Sequence, residues 1–222
     1  MKKKEDNGLW KVKMVIFDFD GVIMDTEWAH ARAKEIICSD RKLALKEDLH
    51  LSVGHSNVEF WKRVIAENRV NESPERLAEE QYRLTLKILE ERQQKESPGL
   101  RELLRQLKEK EKLITICSGS DRGFIVQILD HMGLTGYFDC IMGGEKIENL
   151  KPAPDIFMKM LDKMQISAKE AVVIEDSASG CRAAKEAGIA CLGYLNCGNN
   201  SQNLENADVS INQLQEVLDF II

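Results

Sequence analysis

The amino-acid sequence predicts an α/β fold: a doubly wound parallel-sheet core with a helical segment inserted after its first strand. Three observations carry that reading. Short apolar runs, nearly continuous rather than alternating, recur between longer amphipathic stretches, as the strands of a parallel sheet covered on both faces recur between crossover helices. Gly133 and Gly188 fall just past two of those stretches, where helices end. From about Thr26 to Glu96 the alternation stops, leaving only charged, amphipathic sequence.

In chain order, Val12 to Phe17 is the first strand. Within the strand-free segment, Pro74 to Gln94 is the clearest helix, with Leu77, Leu84 and Ile88 marking an apolar stripe flanked by Tyr82, Leu86 and Leu89. Ser73 supplies its N-cap and Pro74 its first position; Arg76, rather than an acid, stands three residues on, so there is no capping box. Ser97-Pro98-Gly99 restarts the α/β pattern by the same device. Helices then run from Leu100 to Glu111, Arg122 to His131, Pro154 to Met164 and Ser179 to Ala187. The strands between and after them are Leu113 to Cys117, Asp139 to Met142, Ala171 to Ile174 and Ala190 to Leu195. The simplest organisation is a core of residues 1–25 and 97–222 with residues 26–96 as the insertion.

Composition narrows the function classes. With 222 residues the chain suits one or two domains of about 150 residues each. Its 31 Lys+Arg against 37 Asp+Glu leave a net charge of −6, which excludes generic binding to nucleic acid or acidic membrane, since both need clustered positive charge. A hydrophobic share of 43% with only 4 prolines supports a real core. No apolar run reaches the roughly 18 residues that a membrane span needs. Met1-Lys2-Lys3-Lys4 is followed by Glu5-Asp6-Asn7-Gly8 where a signal peptide would turn apolar, so a cytoplasmic protein is expected. The 6 cysteines show no Cys-x-x-Cys spacing, and Cys117 and Cys140 lie inside apolar runs as buried thiols, which fits a reducing compartment. Nothing demands more than a monomer; a dimer stays open.

Candidate chemistry gathers at strand ends, where sites in open α/β sheets lie. Asp18 and Asp20 close the first strand two residues apart, on one face of extended chain, while Phe17 and Phe19 face the other way. Such a pair needs positive charge nearby, although Asp-Gly is equally a solvated turn. Ser118-Gly119-Ser120 follows the second strand with hydroxyls and open backbone suited to a phosphate oxygen. Lys151 precedes a proline-started helix, and Glu175-Asp176-Ser177 ends a further apolar strand. Each alone is ambiguous, but their order and placement together are not.

Those residues resemble the haloacid dehalogenase-like hydrolase superfamily, in particular its capped phosphatases and phosphomutases. Asp18-Phe19-Asp20-Gly21-Val22 with Asp25-Thr26-Glu27 matches the first motif and Ser118 the second. Lys151-Pro152-Ala153-Pro154-Asp155-Ile156-Phe157 matches the third, and Glu175-Asp176-Ser177 with Gly180 the fourth. The resemblance spans nearly the whole core, and the insertion sits where that subgroup carries its helical cap. It implies a Rossmann-like core and an Mg²⁺-dependent enzyme. Asp18 would be the nucleophile forming an aspartyl-phosphate, and Asp20 the general acid and then base. Ser118 and Lys151, with backbone N–H groups near Gly21 and Gly119, would hold phosphoryl oxygens. Asp18, the Asp20 carbonyl and Asp176 would bind the metal, with Glu175 close by or bridged by water. On this reading the pKa of Asp20 should be raised, while Asp18 is an anion stabilised by the metal.

In the cap, His30 stands where beta-phosphoglucomutases have a histidine; the alternative is a helix-face residue without a role. Leu51 to Asn57, with His55, resembles the substrate loop, but Asn57 falls where the mutase carries an arginine for a second phosphate. Arg83 and Lys87 are nearby candidates for its cap lysine. That departure favours hydrolysis of a small phosphorylated metabolite, a sugar or polyol phosphate, over a beta-phosphoglucomutase-like phosphohexomutase. A non-catalytic phosphate-binding module is the further alternative, and the intact acid pair argues against it.

Overall fold

A computed structural model describes residues 10–45, 57–196 and 203–222. Its centre is a parallel sheet of β1 (Met14–Phe17), β2 (Leu113–Cys117), β3 (Cys140–Met142), β4 (Ala171–Glu175), β5 (Ala190–Tyr194) and β6 (Val209–Ile211), in the order β3-β2-β1-β4-β5-β6. The four residues of β1 are wholly buried between two neighbours, which is why they read as an unbroken apolar run. Successive side chains leave the sheet on opposite faces. Val15, Phe17, Ile114, Ile116, Val172 and Ile174 enter one core with Leu100, Leu103, Leu104 and Leu107 of α4 (Leu100–Glu109) and with α5 (Arg122–His131). Met14, Ile16 and Val173 enter the other, against α6 (Asp155–Met164) and α7 (Ala178–Glu186). The fold is thus the expected Rossmann-like α/β type. Strand order reverses beside β1, so the crevice at the carboxyl ends of β1 and β4 is where a ligand site belongs.

Between β1 and α4 the chain forms α1 (Glu27–Arg41), α2 (Asn57–Asn68) and α3 (Pro74–Glu91). They pack around Ile37, Phe60, Trp61, Val64 and Leu77, a cluster of their own. Trp61 is fully buried there, and Trp28 packs against the sheet's core, so both work as packing residues. Ser73 caps α3 as the sequence predicts, its Oγ accepting from the Arg76 N–H at 3.3 Å.

Three expectations need correction. β6 is absent from the sequence reading because Val209-Ser210-Ile211 is too short to stand out as an apolar run. The face that α3 buries most deeply, Leu77, Ala78, Gln81, Thr85 and Leu89, is rotated from the expected stripe, whose Leu84 and Ile88 pack against the cores only half-buried; Gln81 and Thr85 are polar and so invisible to hydrophobic periodicity. Ser97-Pro98 does not cap α4: the N-cap is Gly99 at φ 81°, which makes no side-chain cap bond. Among the described residues no helix is long and apolar enough to cross a membrane. Cys38, Cys117, Cys140, Cys181 and Cys191 are free and buried.

Candidate active site

The register explains how distant residues meet. Phe17 pairs with Ile116 on one side and Ile174 on the other, so the next residues along, Asp18, Cys117 and Glu175, emerge level at one sheet edge. Lys151, delivered by the loop after β3, inserts its ammonium among them. Nζ donates to Asp18 Oδ1 at 2.5 Å, Glu175 Oε1 at 2.6 Å and the Cys117 carbonyl at 2.9 Å. All of these groups are buried. Glu175 is held in turn: its Oε2 accepts from the Asp176 and Ser177 N–H groups, both at 3.1 Å, and from Ser177 Oγ at 2.9 Å. Both Glu175 oxygens therefore already accept hydrogen bonds, Oε1 from Lys151 and Oε2 from the Asp176–Ser177 segment. Gly180 is needed behind it, because a Cβ there would overlap the Glu175 carboxylate.

Asp18, Glu175 and Asp176 offer carboxylate oxygens within 4.8 Å of one another. Burial, with Glu175 and Asp20 close by, pushes the Asp18 carboxyl well above its ordinary range despite the pull of Lys151. Asp176 is pushed up likewise, by burial and then by Glu175. Lys151 is held above its ordinary range, since Asp18 and Glu175 outweigh its burial. Three buried acids around one ammonium leave excess negative charge. An all-oxygen cluster of that kind fits a hard divalent cation.

Asp20 points away from this cluster, toward a ring of donors. Oδ2 accepts from Ser120 Oγ at 2.7 Å and Ser118 Oγ at 3.1 Å, Oδ1 accepts from Thr26 Oγ1, and His30 Nε2 stands 3.7 Å from Oδ1. This overturns the expected raised pKa. Burial alone would raise it, but His30, Thr26 and Ser120 outweigh burial and hold the carboxyl down at about 2. The Gly21 N–H is likewise not open to a phosphate, because it donates to the Met24 carbonyl at 2.8 Å. Gly119 does face open space.

Above the sheet edge the helical segment contributes His30 from α1 and Asn57 from the start of α2. Gln81, on α3, joins them: Nε2 donates to Asn57 Oδ1 at 2.9 Å and reaches His30 Nδ1 at 3.1 Å, while Oε1 accepts from Trp61 Nε1 at 2.9 Å. The indole, which can only donate, orients the amide. The amide nitrogen can only donate to Nδ1, so the His30 proton sits on Nε2, toward Asp20. Tyr82 Oη accepts from the Asp121 N–H at 3.1 Å and bridges α3 to the core. A cleft of about 1130 Å³ opens here, lined by Asn57, Tyr82, Arg83, Gly119, Phe124 and Lys151 among others. Arg83 faces it, whereas Lys87 is exposed and pairs with Glu91 at 3.8 Å. His55 lies outside the described residues.

The structure thus brings together Asp18, Asp20, Ser118, Lys151, Glu175, Asp176 and His30, and places Gly119 and Asn57 on the adjoining cleft. The sequence offers the Ser120 hydroxyl to a phosphate oxygen, whereas here it donates to Asp20, and it assigns no chemical role to Thr26, Gln81, Tyr82 or Asn196.

A parallel sheet that collects buried acids, a lysine and hydroxyl donors at one carboxyl edge is built for group transfer from an anionic substrate. The profile of the haloacid dehalogenase-like hydrolase family matches residues 15–194. The chain is 30% identical over 217 residues to a phosphorylated carbohydrates phosphatase of Thermotoga maritima, covering 95% of this chain and 98% of that protein. It is 27% identical over 179 residues to a fructose-1-phosphate phosphatase of Escherichia coli, covering 79% and 92%. Its fold is similar to a crystal structure of beta-phosphoglucomutase from Clostridium difficile, with TM-score 0.79, 24% identity and coverage of 94% and 96%. The chain belongs to the haloacid dehalogenase-like hydrolase family and is an enzyme of its phosphoric monoester hydrolase class.

Proposed function

We propose that this enzyme hydrolyses a small phosphomonoester, a sugar or polyol phosphate, through an aspartyl-phosphate on Asp18, with residues 26–96 acting as a cap over the site. The observation that carries it is the buried Asp18–Lys151–Glu175 centre standing beside an acid, Asp20, held by its own set of donors. Two carboxylates in contrasting environments suit two different roles. The relatives named for phosphorylated carbohydrates and fructose 1-phosphate support the substrate class.

Asp18 Oδ attacks phosphorus and the ester oxygen leaves as an alcohol, taking its proton from Asp20. Water, losing a proton to Asp20, then attacks phosphorus and restores the Asp18 carboxylate. Ser118 and Lys151 stabilise the phosphoryl oxygens. A phosphate dianion seated there would compete for the Ser118 hydroxyl and repel the Asp20 anion, raising the pKa of Asp20 in the complex. Asp18, Asp176 and the Asp20 carbonyl would hold Mg²⁺. When bound, that ion supplies positive charge to offset repulsion between carboxylate and phosphate. Glu175 keeps Lys151 in place. Gln81 and Asn57 satisfy each other where a mutase grips a second phosphate, which favours hydrolysis.

The test is phosphate release from a panel of sugar, polyol and nucleotide monophosphates with Mg²⁺. Asp18→Asn should abolish release, and Asp20→Asn should cut it by about 10²–10⁴-fold. Undiminished release by Asp18→Asn overturns the reading. A sugar isomer formed without release, in the presence of catalytic glucose 1,6-bisphosphate, replaces hydrolase with mutase.

A further inference from the structure

Asn196 stands where β5 runs past the end of β4. Glu175 and Gly193 are register partners, so Asp176 after one strand and Asn196 after the other emerge at the same edge. The root of the Asn196 loop is fixed, because the Leu195 N–H donates to the Ile211 carbonyl at 2.8 Å. From there Asn196 Nδ2 donates to two acceptors: the Gly21 carbonyl at 3.0 Å and Asp176 Oδ2 at 3.2 Å. A carboxamide NH₂ carries two hydrogens, so both bonds form together. One acceptor belongs to the turn directly after Asp20, the other to the acid after β4.

We infer that Asn196 is a positioning residue for the divalent-cation site, locking the Asp176 carboxylate to the Asp20–Gly21 turn. The inference rests on the metal-dependent reading above. Asp176 is buried against Gly21, whose missing side chain makes room for it, and the amide closes the carboxylate's other degree of freedom. A neutral donor suits this task. It favours an ionised ligand without adding a positive charge that would compete with the incoming cation, as a second lysine would. The same amide ties down the Gly21–Val22 peptide, the next one along from the Asp20 carbonyl, and so steadies the turn that carries that carbonyl. Residues that orient metal ligands in this way commonly govern about 10–100-fold in metal affinity.

The experiment is calorimetric titration of Mg²⁺ into metal-free full-length protein without substrate, backed by Mn²⁺ binding followed by electron paramagnetic resonance. Asn196→Ala should bind both ions about 10–100-fold more weakly. Asn203→Ala is the control: Asn203 is exposed on the same stretch of chain, and its Oδ1 accepts only from the Glu205 N–H at 3.1 Å among its described contacts. It should stay within about twofold of wild type, well inside the effect that ligand-orienting residues exert. Thermal melts of the metal-free proteins separate loss of the site from loss of the fold. Should Asn196→Ala melt early, Asn196→Ser, whose shorter hydroxyl reaches neither acceptor, is expected to show the same weakening. Equal affinity in folded variant and wild type overturns the role of Asn196 and leaves the metal-dependent reading standing. A wild type that binds no divalent cation, while still releasing phosphate, overturns both.

Discussion

At Gly21 the lack of a side chain lets the β1 turn and the β4 acid close on each other. The residue has φ 83°, and a Cβ would overlap the Asp176 carboxylate. Gly21→Ala should therefore cost about 1–2 kcal/mol in backbone strain and, beyond that, displace Asp176. Urea denaturation should show the modest loss while Mg²⁺ binding falls below detection; a stable variant with intact Mg²⁺ affinity would sink the argument. Lys34 presents the opposite case, a charge the fold tolerates at a cost. It is buried on α1 with its ammonium 4.2 Å over the Phe60 ring, and burial pushes it down to about 8, against the pull of Glu27. Its ordinary value is near 10.5, so between about 8 and 10.5 the unfolded chain holds this proton while the folded chain releases it. Stability from this residue then rises with pH across that window, and at pH 7 the buried charge is a penalty. Lys34→Met should be more stable at pH 7 by about 1–3 kcal/mol, with the gain shrinking as pH climbs from 8 to 10. Cys38, pushed up to about 11 by burial, acts with the opposite sign and interacts with Lys34, so Lys34→Met is compared in a Cys38→Ala background. A gain independent of pH would show that Lys34 is not the titrating group.

Among elements, legibility in the sequence followed chemistry. β2 and α5 match their expected bounds because an unbroken apolar run and a run closed by His131 and Gly133 leave little freedom. Asp18 and Ser118 could be found because each is the first polar residue after a buried strand, Glu175 and Asp176 because they close one, and Lys151 because it stands just ahead of the proline-started helix α6. Gln81 could not. It stands one turn after Leu77 on the apolar stripe, but as a polar side chain it adds nothing to hydrophobic periodicity, and its partners Trp61, Asn57 and His30 come from two other helices. Asn196 was hidden for the same reason: it acts across 175 residues of chain. The contribution of Gln81 is measurable by a double-mutant cycle. Gln81→Leu leaves the Trp61 N–H buried without an acceptor and should destabilise by about 1–3 kcal/mol. Adding Trp61→Phe removes that orphaned donor, so the double variant should lose less than the sum of the two single losses. Strict additivity would mean that the buried bond contributes nothing of its own.

At the scale of the whole molecule, the seam between residues 26–96 and the core is where the proposed cap would open and close. On its core side lies Phe124 of α5, with the His30 ring centroid at 5.1 Å and the Tyr82 centroid at 4.9 Å. Across it run the His30–Asp20 approach and the Tyr82–Asp121 hydrogen bond. Burial pushes the Tyr82 phenol up to about 12, so it stays protonated through the working range and its oxygen remains the acceptor for the Asp121 N–H. Tyr82→Phe keeps the aromatic packing and removes that acceptor. Because the bond joins cap to core, its loss, about 0.5–1.5 kcal/mol, should fall on the closed state rather than on either half alone. The expected result is a fall in kcat/KM of about 2–10-fold. Thermal unfolding should move by no more than about 2 °C, and Mg²⁺ affinity not at all, since Tyr82 lies away from the acid cluster. Small-angle scattering of the phosphate-bound form should show a larger radius for the variant than for wild type. A variant that loses thermal stability but keeps its kcat/KM would make Tyr82 part of the cap's packing and not a fastener of the closed state.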